Sequence, residues 1–104
     1  MSYKIKFHPA VRRDLEAIAE LIGEFAGRDV ARRKIREITQ TIQSLATTPH
    51  IGSIRDEIAP GLRALPAGNR GVVVFTVSDA ERCVLVYAVT YGGGDWMRGT
   101  RKRR

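Results

Sequence analysis

The sequence predicts an α+β domain of order β-α-α-β-β-β, a helical hairpin packed on an antiparallel sheet. Three observations carry this reading. Tyr3, Ile5 and Phe7 alternate with Lys4 and Lys6 at the N-terminus. Two consecutive stretches then repeat apolar residues every three or four positions. The remainder alternates or runs apolar between turn-forming residues.

The first strand follows from the alternation at residues 3–7, which sets the lysines toward water and the apolar side chains toward a core. Pro9 stands where the first helical residue belongs, and Val11, Leu15, Ile18, Ile22 and Phe25 recur at helical spacing until Gly27. Asp29 has the chemistry of an N-cap for a second helix. Its stripe is Ala31, Ile35, Ile38, Ile42 and Leu45, and Thr47-Thr48-Pro49 stops it. With only two or three residues between them, the helices must fold back as a hairpin, and their stripes need a flat surface to cover. Leu62–Leu65, Gly71–Val77 and Arg82–Tyr91 supply it as a three-strand meander, with turns at Gly68-Asn69 and Ser78-Asp79.

A chain of 104 residues holds one core. The expected division is a single domain over 1–97 and a basic, flexible tail over 98–104. The net charge is +7, but five basic residues are Arg98, Arg101, Lys102, Arg103 and Arg104; without them the body carries +2. The high pI is therefore mostly a property of the tail, which would attract an acidic partner. Cys83, the only cysteine, lies in the run Cys83–Val89 and reads as a small packed hydrophobe, in keeping with a reducing compartment. The N-terminus has no apolar signal-peptide core and no stretch is long enough to span a bilayer, so a cytoplasmic protein without membrane contact is expected.

Little in the sequence points to catalysis. His8 precedes a proline at a helix start and His50 follows one in a loop, positions suited to capping or solvated roles rather than to an acid–base pair. The first helix carries the acids Asp14, Glu16, Glu20 and Glu24, of which Glu16, Glu20 and Glu24 repeat every four residues and read as a solvated or partner-facing strip. No carboxylate–histidine group has metal-ligand spacing, and neither a phosphate loop nor a serine-nucleophile motif occurs, so no metal and no cofactor are expected. Gly92-Gly93-Gly94 reads as a flexible exit from the sheet.

Several stretches taken in order resemble a known family. They are Phe7-His8-Pro9-Ala10 leading into Asp14-Leu15-Glu16-Ala17-Ile18, the helix exit Leu45–Gly52, and above all Arg55-Asp56-Glu57-Ile58-Ala59-Pro60-Gly61-Leu62-Arg63. Over residues 3 to 95 the chain resembles the RelE/ParE toxins of type II toxin–antitoxin systems, on the ParE side. In that frame Arg55–Glu57 crosses from hairpin to sheet and Pro60-Gly61 makes the turn. Leu62 and Leu65 are expected to bury one side of the next strand. Arg63 is expected on the sheet face that the helices leave open, either in an ion pair with Asp56 or Glu57 or in a functional role.

The resemblance implies a toxin neutralised by a smaller acidic, ParD-like antitoxin and acting by binding DNA gyrase rather than as an enzyme. It places target contacts on Arg63, Tyr91, Asp95, Trp96 and Arg98, and antitoxin contacts on Leu15, Ile18, Ile22, Ile38 and Ile42. The second reading is a RelE-like, ribosome-dependent messenger RNA endoribonuclease using Arg63, Arg70 and Tyr91. It ranks lower because family members carry histidine-glycine, two basic residues and an acid after the last strand, where this chain has Tyr91-Gly92-Gly93-Gly94-Asp95. A third reading is a non-toxic relic that only binds its antitoxin.

Overall fold

In the computed structural model, which describes residues 2–92, the chain runs β1 (Lys4–Phe7), α1 (Val11–Ala26), α2 (Arg28–Ser44), β2 (Ser53–Ile54), β3 (Arg63–Ala67), β4 (Gly71–Ser78) and β5 (Cys83–Tyr91). The α+β order holds, with one short strand, β2, added at the sheet edge. Strand order is β1-β5-β4-β3-β2. The β3-β4-β5 meander is antiparallel as expected, but β1 lies parallel to β5, so the five-stranded sheet is mixed. The long path through both helices provides the crossover that a parallel neighbour requires.

The helix boundaries depart from expectation for local reasons. Pro9 precedes α1 by a turn, and the helix begins at Val11 without a side-chain cap of its own. His8 compensates in part, since its Nδ1 accepts the Ala10 N–H at 3.0 Å and its carbonyl accepts that of Val11 at 3.0 Å. Gly27 alone joins the helices. It ends α1 and precedes α2 at φ 94°, a left-handed-side conformation that favours glycine, so Asp29 falls in the first turn of α2 instead of capping it. At the other end, the Ser44 carbonyl accepts the Thr48 backbone N–H at 3.0 Å and its hydroxyl at 2.9 Å, which satisfies an otherwise orphaned acceptor before Pro49.

The core lies between the hairpin and one sheet face. Ile18, Ile22, Ile38, Ile42 and Leu45 from the helices meet Val73, Phe75, Val84, Val86 and Val89 from the strands, all buried. Phe25, which the period assigns to the same stripe, is 83% exposed in the last turn of α1. A smaller cluster of Ile58, Ala59, Leu62, Val74 and Ala88 fills the opposite face under the β2–β3 loop. Leu62 and Leu65 therefore belong to different faces, as their separation of three residues requires once the strand period is two.

One contact ties the layers together at a defect. The β4–β5 register slips between Val74 and Phe75, which pair with Ala88 and Val86 and leave Tyr87 as the extra residue of a bulge. Two residues on, the Val89 N–H donates to Asp14 Oδ2 at 3.0 Å, so a carboxylate from α1 serves a strand amide. Asp14 is thus a bridge between helix and sheet rather than part of a solvated strip.

Candidate functional site: a channel along the first helix and a cleft at the sheet end

Two grooves run along α1. A groove of about 630 Å³ is lined by Phe7, His8, Pro9, Val11, Arg12, Leu15 and Glu16. A second, of about 670 Å³, lies between the helices and is lined by residues that include Ala19, Glu20, Gly23, Glu24, Arg28 and Arg32. The α1 members of the two sets continue one another at spacings of three and four, so they form one stripe along the helix. From residue 12 to residue 24 that stripe is about 18 Å long, at 1.5 Å per residue.

The chemistry of the channel follows from the sequence at that stripe. Ala19 and Gly23 keep the floor low between the helices, Leu15 and the 52%-exposed Phe7 give it an apolar end, and its rim mixes the acids Glu16, Glu20 and Glu24 with the cations Arg12, Arg28 and Arg32. Arg12 pairs with Glu16 at 3.2 Å, but both side chains are largely exposed, and such a pair contributes only about 0.2–1 kcal/mol. An amphipathic helix with an apolar stripe flanked by charges of both signs has the complementary pattern. Of the five residues expected to meet an antitoxin, only Leu15 lies in the channel. Ile18, Ile22, Ile38 and Ile42 are between 1% and 6% exposed, committed to the core by their contacts with the sheet. Helical periodicity alone cannot separate a stripe that faces the core from one that faces a partner. The signal for the channel was the pair of small residues, Ala19 and Gly23, on the polar side of α1.

The second surface is a cleft of about 310 Å³ at the end of the sheet, lined by His50, Ile54, Asp56, Gly61, Arg63, Val77 and Asp79. Arg63 opens β3 opposite Phe75 and therefore points to the helix-side face, not to the face the helices leave open. Its expected ion pair is not formed. Glu57 binds Arg55 at 3.4 Å, and Asp56 accepts the Gly61 N–H at 2.8 Å, holding the turn in which Gly61 adopts φ 78°. Asp79, in the β4–β5 turn, accepts the Tyr3 hydroxyl at 2.6 Å and His50 Nε2 at 2.8 Å. The Tyr3 hydrogen bond, helped by His50 and the nearby Arg63, holds the Asp79 carboxyl below its ordinary value, and the same bond raises that of Tyr3. His50 is thus part of a three-segment clasp, joining the start of β1, the loop after α2 and the β4–β5 turn.

The other expected site residues lie elsewhere. Arg70 is exposed in the β3–β4 turn, where its carbonyl accepts the Gly92 N–H at 3.1 Å. Tyr91 pairs with Gly71 at the same end and packs on the main core. Arg63 sits beside Phe75, four residues along β4 from Gly71, or about 13 Å away at 3.3 Å per residue. Arg63 therefore lies toward the opposite end of β4 from Arg70 and Tyr91. Asp95, Trp96 and Arg98 lie outside the described residues. Among the described residues no group of three or more histidine, cysteine or acidic side chains is placed to hold a metal ion, and no helix is long and apolar enough to cross a membrane.

A helical hairpin on one face of a mixed five-stranded sheet is the RelE/ParE architecture. A chain from the chromosomal ParDE toxin–antitoxin system of P. aeruginosa superposes with a TM-score of 0.73 at 19% identity, over 86% of this chain and 95% of that one. A mutant of the E. coli toxin RelE in its free state superposes at 0.70 with 13% identity, over 100% and 98%. The chain belongs to the ParE toxin family of type II toxin–antitoxin systems, whose pattern, described as the ParE toxin of parDE, matches residues 5–96. Toxin ParE1 of Mycobacterium tuberculosis, in strains CDC 1551 and H37Rv, is 38% identical over 69 residues, which span 66% of this chain and 70% of the relative.

Proposed function

We propose that this chain arrests growth by binding DNA gyrase without chemical catalysis, and that a ParD-like antitoxin neutralises it by laying a helix in the channel along α1. Membership of the ParE family over residues 5–96 is the observation that carries the reading. The channel supports the antitoxin half of it. An apolar floor from Phe7 and Leu15 to Gly23, edged by Glu16, Glu20 and Glu24, suits an amphipathic helix of about three turns. Acids of such an antitoxin could meet Arg12, Arg28 and Arg32, and its basic residues Glu16, Glu20 and Glu24.

The test is induced expression of the chain alone, with plasmid supercoiling, DNA breaks and messenger RNA integrity followed in the same cells, then repeated with the antitoxin co-expressed. Arrest with gyrase-dependent breaks and intact messages, relieved by the antitoxin, is the expected result. Arrest with cut messages would replace gyrase binding by ribonuclease action, and harmless expression would leave only antitoxin binding. For the channel, Gly23→Leu should fill the floor between the helices and weaken antitoxin binding at least tenfold. An unchanged Kd would remove the channel from the interface.

A further inference from the structure

We propose that Leu21 and Phe25, near the C-terminal end of α1, form the seat for the chain's own segment after β5, with Trp96 as its anchor. The two side chains stand one turn apart and are 43% and 83% exposed. Helical phase does not explain the exposure of Phe25. At 100° per residue it lies about 20° around the helix from Ile18 and about 60° from Ile22, both buried, so it points to the sheet side. The described sheet ends short of it. Ala46, just past α2, accepts the Tyr3 N–H at 2.7 Å, at the end where Lys4 pairs with Cys83. Glu37 instead reaches the β3–β4 turn, its Oε2 2.9 Å from where a Cβ on Gly68 would stand, at the end where Gly71 pairs with Tyr91. The first turns of α2 therefore overhang the Tyr91 end of the sheet. Gly27 alone joins them to α1, so the last turns of α1 overhang with them. From Asp14, bonded to Val89, α1 runs about 16 Å on to Phe25, whereas β5 has only about 7 Å left to Tyr91.

The segment that starts beneath this overhang has the matching chemistry. Gly92 donates to the Arg70 carbonyl at 3.1 Å and takes φ 88°, which ends the extended run, and Gly93 and Gly94 leave the chain free to turn either way. Trp96 comes four residues after Gly92, a reach of up to about 14 Å. Trp96 and Met97 are the only apolar side chains among residues 93–104, and Arg98, Arg101, Lys102, Arg103 and Arg104 follow them. The last turn of α1 carries no basic residue, and among the described residues Glu24 forms no ion pair, so this helix end favours cations. A second copy of the chain suits the stripe less well. One aromatic side chain covers about 150–250 Å² and a leucine less, against roughly 800 Å² per partner in a stable interface. A tethered segment needs no such area, because its effective concentration is already high.

Leu21 and Phe25 each lie about 200° around α1 from the channel floor at Ala19 and Gly23, so the seat does not rest on the gyrase or antitoxin reading. It does govern Trp96: a partner that takes this side chain must first lift it from Phe25. Trp96 is the only tryptophan, so the fluorescence of the whole chain reports on it directly. Its emission maximum should lie well to the blue of the urea-unfolded chain. Phe25→Asp should move it most of the way to the unfolded position and raise acrylamide quenching severalfold, with far-UV circular dichroism unchanged. Phe25→Leu should keep much of the blue shift, and Ile54→Asp, at an exposed apolar residue toward the other end of the sheet, should leave it as it is. In the unsubstituted chain, NMR should show Overhauser contacts between the Trp96 indole and the Leu21 methyl groups. Emission at the unfolded position, indifference to Phe25→Asp, or absence of those contacts would overturn the proposal. A blue shift lost on dilution would assign the stripe to a second copy and overturn it as well.

Discussion

The two faces of the sheet are both apolar at their centres but are covered in different ways. On one face, two helices of 16 and 17 residues press a continuous stripe onto β3, β4 and β5. On the other, a loop brings Ile58, Ala59 and Leu62 over Val74 and Ala88. A helix presents its apolar residues on a rigid ridge that follows the sheet, while a loop can bring only a few. The fold is therefore expected to depend mainly on the helix-side core, leaving the strand edge and the outer side of α1 available to partners.

The largest effect should come from cutting into the helix-side core. Ile38→Ala removes a side chain that is 1% exposed and should cost about 2–5 kcal/mol in urea unfolding. Leu62→Ala, equally buried but under a loop that can settle into the space, should fall toward the lower end of that range. Equal or reversed costs would mean that the two faces act as a single core.

A smaller effect separates the acids of α1. Asp14→Ala leaves the Val89 N–H without its partner and should cost about 1–3 kcal/mol, whereas Glu16→Ala, which breaks only an exposed pair, should stay within about 0.5 kcal/mol. Thermal unfolding of both variants would measure the difference. A neutral Asp14→Ala would show that the bulge needs no support from the helix.

The smallest effect concerns the clasp at Asp79. Its carboxyl titrates lower in the folded chain, so its contribution to stability is complete above the unfolded value of about 3.9 and is lost as pH falls through the folded one. Tyr3 titrates higher, so its contribution is complete below about 10 and is lost as pH rises through the raised value. Asp79→Asn should flatten the melting temperature against pH, its deficit relative to the parent being greatest at neutrality and shrinking toward both extremes. A profile as steep as the parent's would show that the clasp has no thermodynamic weight.

Much of the molecule was legible because its patterns are local. The strand at residues 3–7, the two helices and the turns at Gly68-Asn69 and Ser78-Asp79 each depend on neighbours in the chain, and apart from the helix boundaries and the exposed Phe25 they lie where expected. The ordered stretches, with Arg55 to Arg63 foremost, pointed to the family for the same reason. The candidate sites were less legible. Ile18 and Ile38 carry the same apolar signal whether they face a sheet or a partner, and nothing near Arg63 in sequence says that it shares a cleft with His50 and Asp79. Asp14 looks like its acidic neighbours until the bulge at Tyr87 brings the Val89 amide within reach.

Hydrophobic period and turn chemistry act between residues a few positions apart, and they were enough to specify the α+β class, the helical hairpin and the meander, with the ordered motifs adding the ParE family. Long-range packing set the parallel seating of β1 beside β5, the face taken by Arg63 and the channel along α1. Those features depend on which strands become neighbours, and that choice is made by burying the helical stripes as a whole rather than by any single segment.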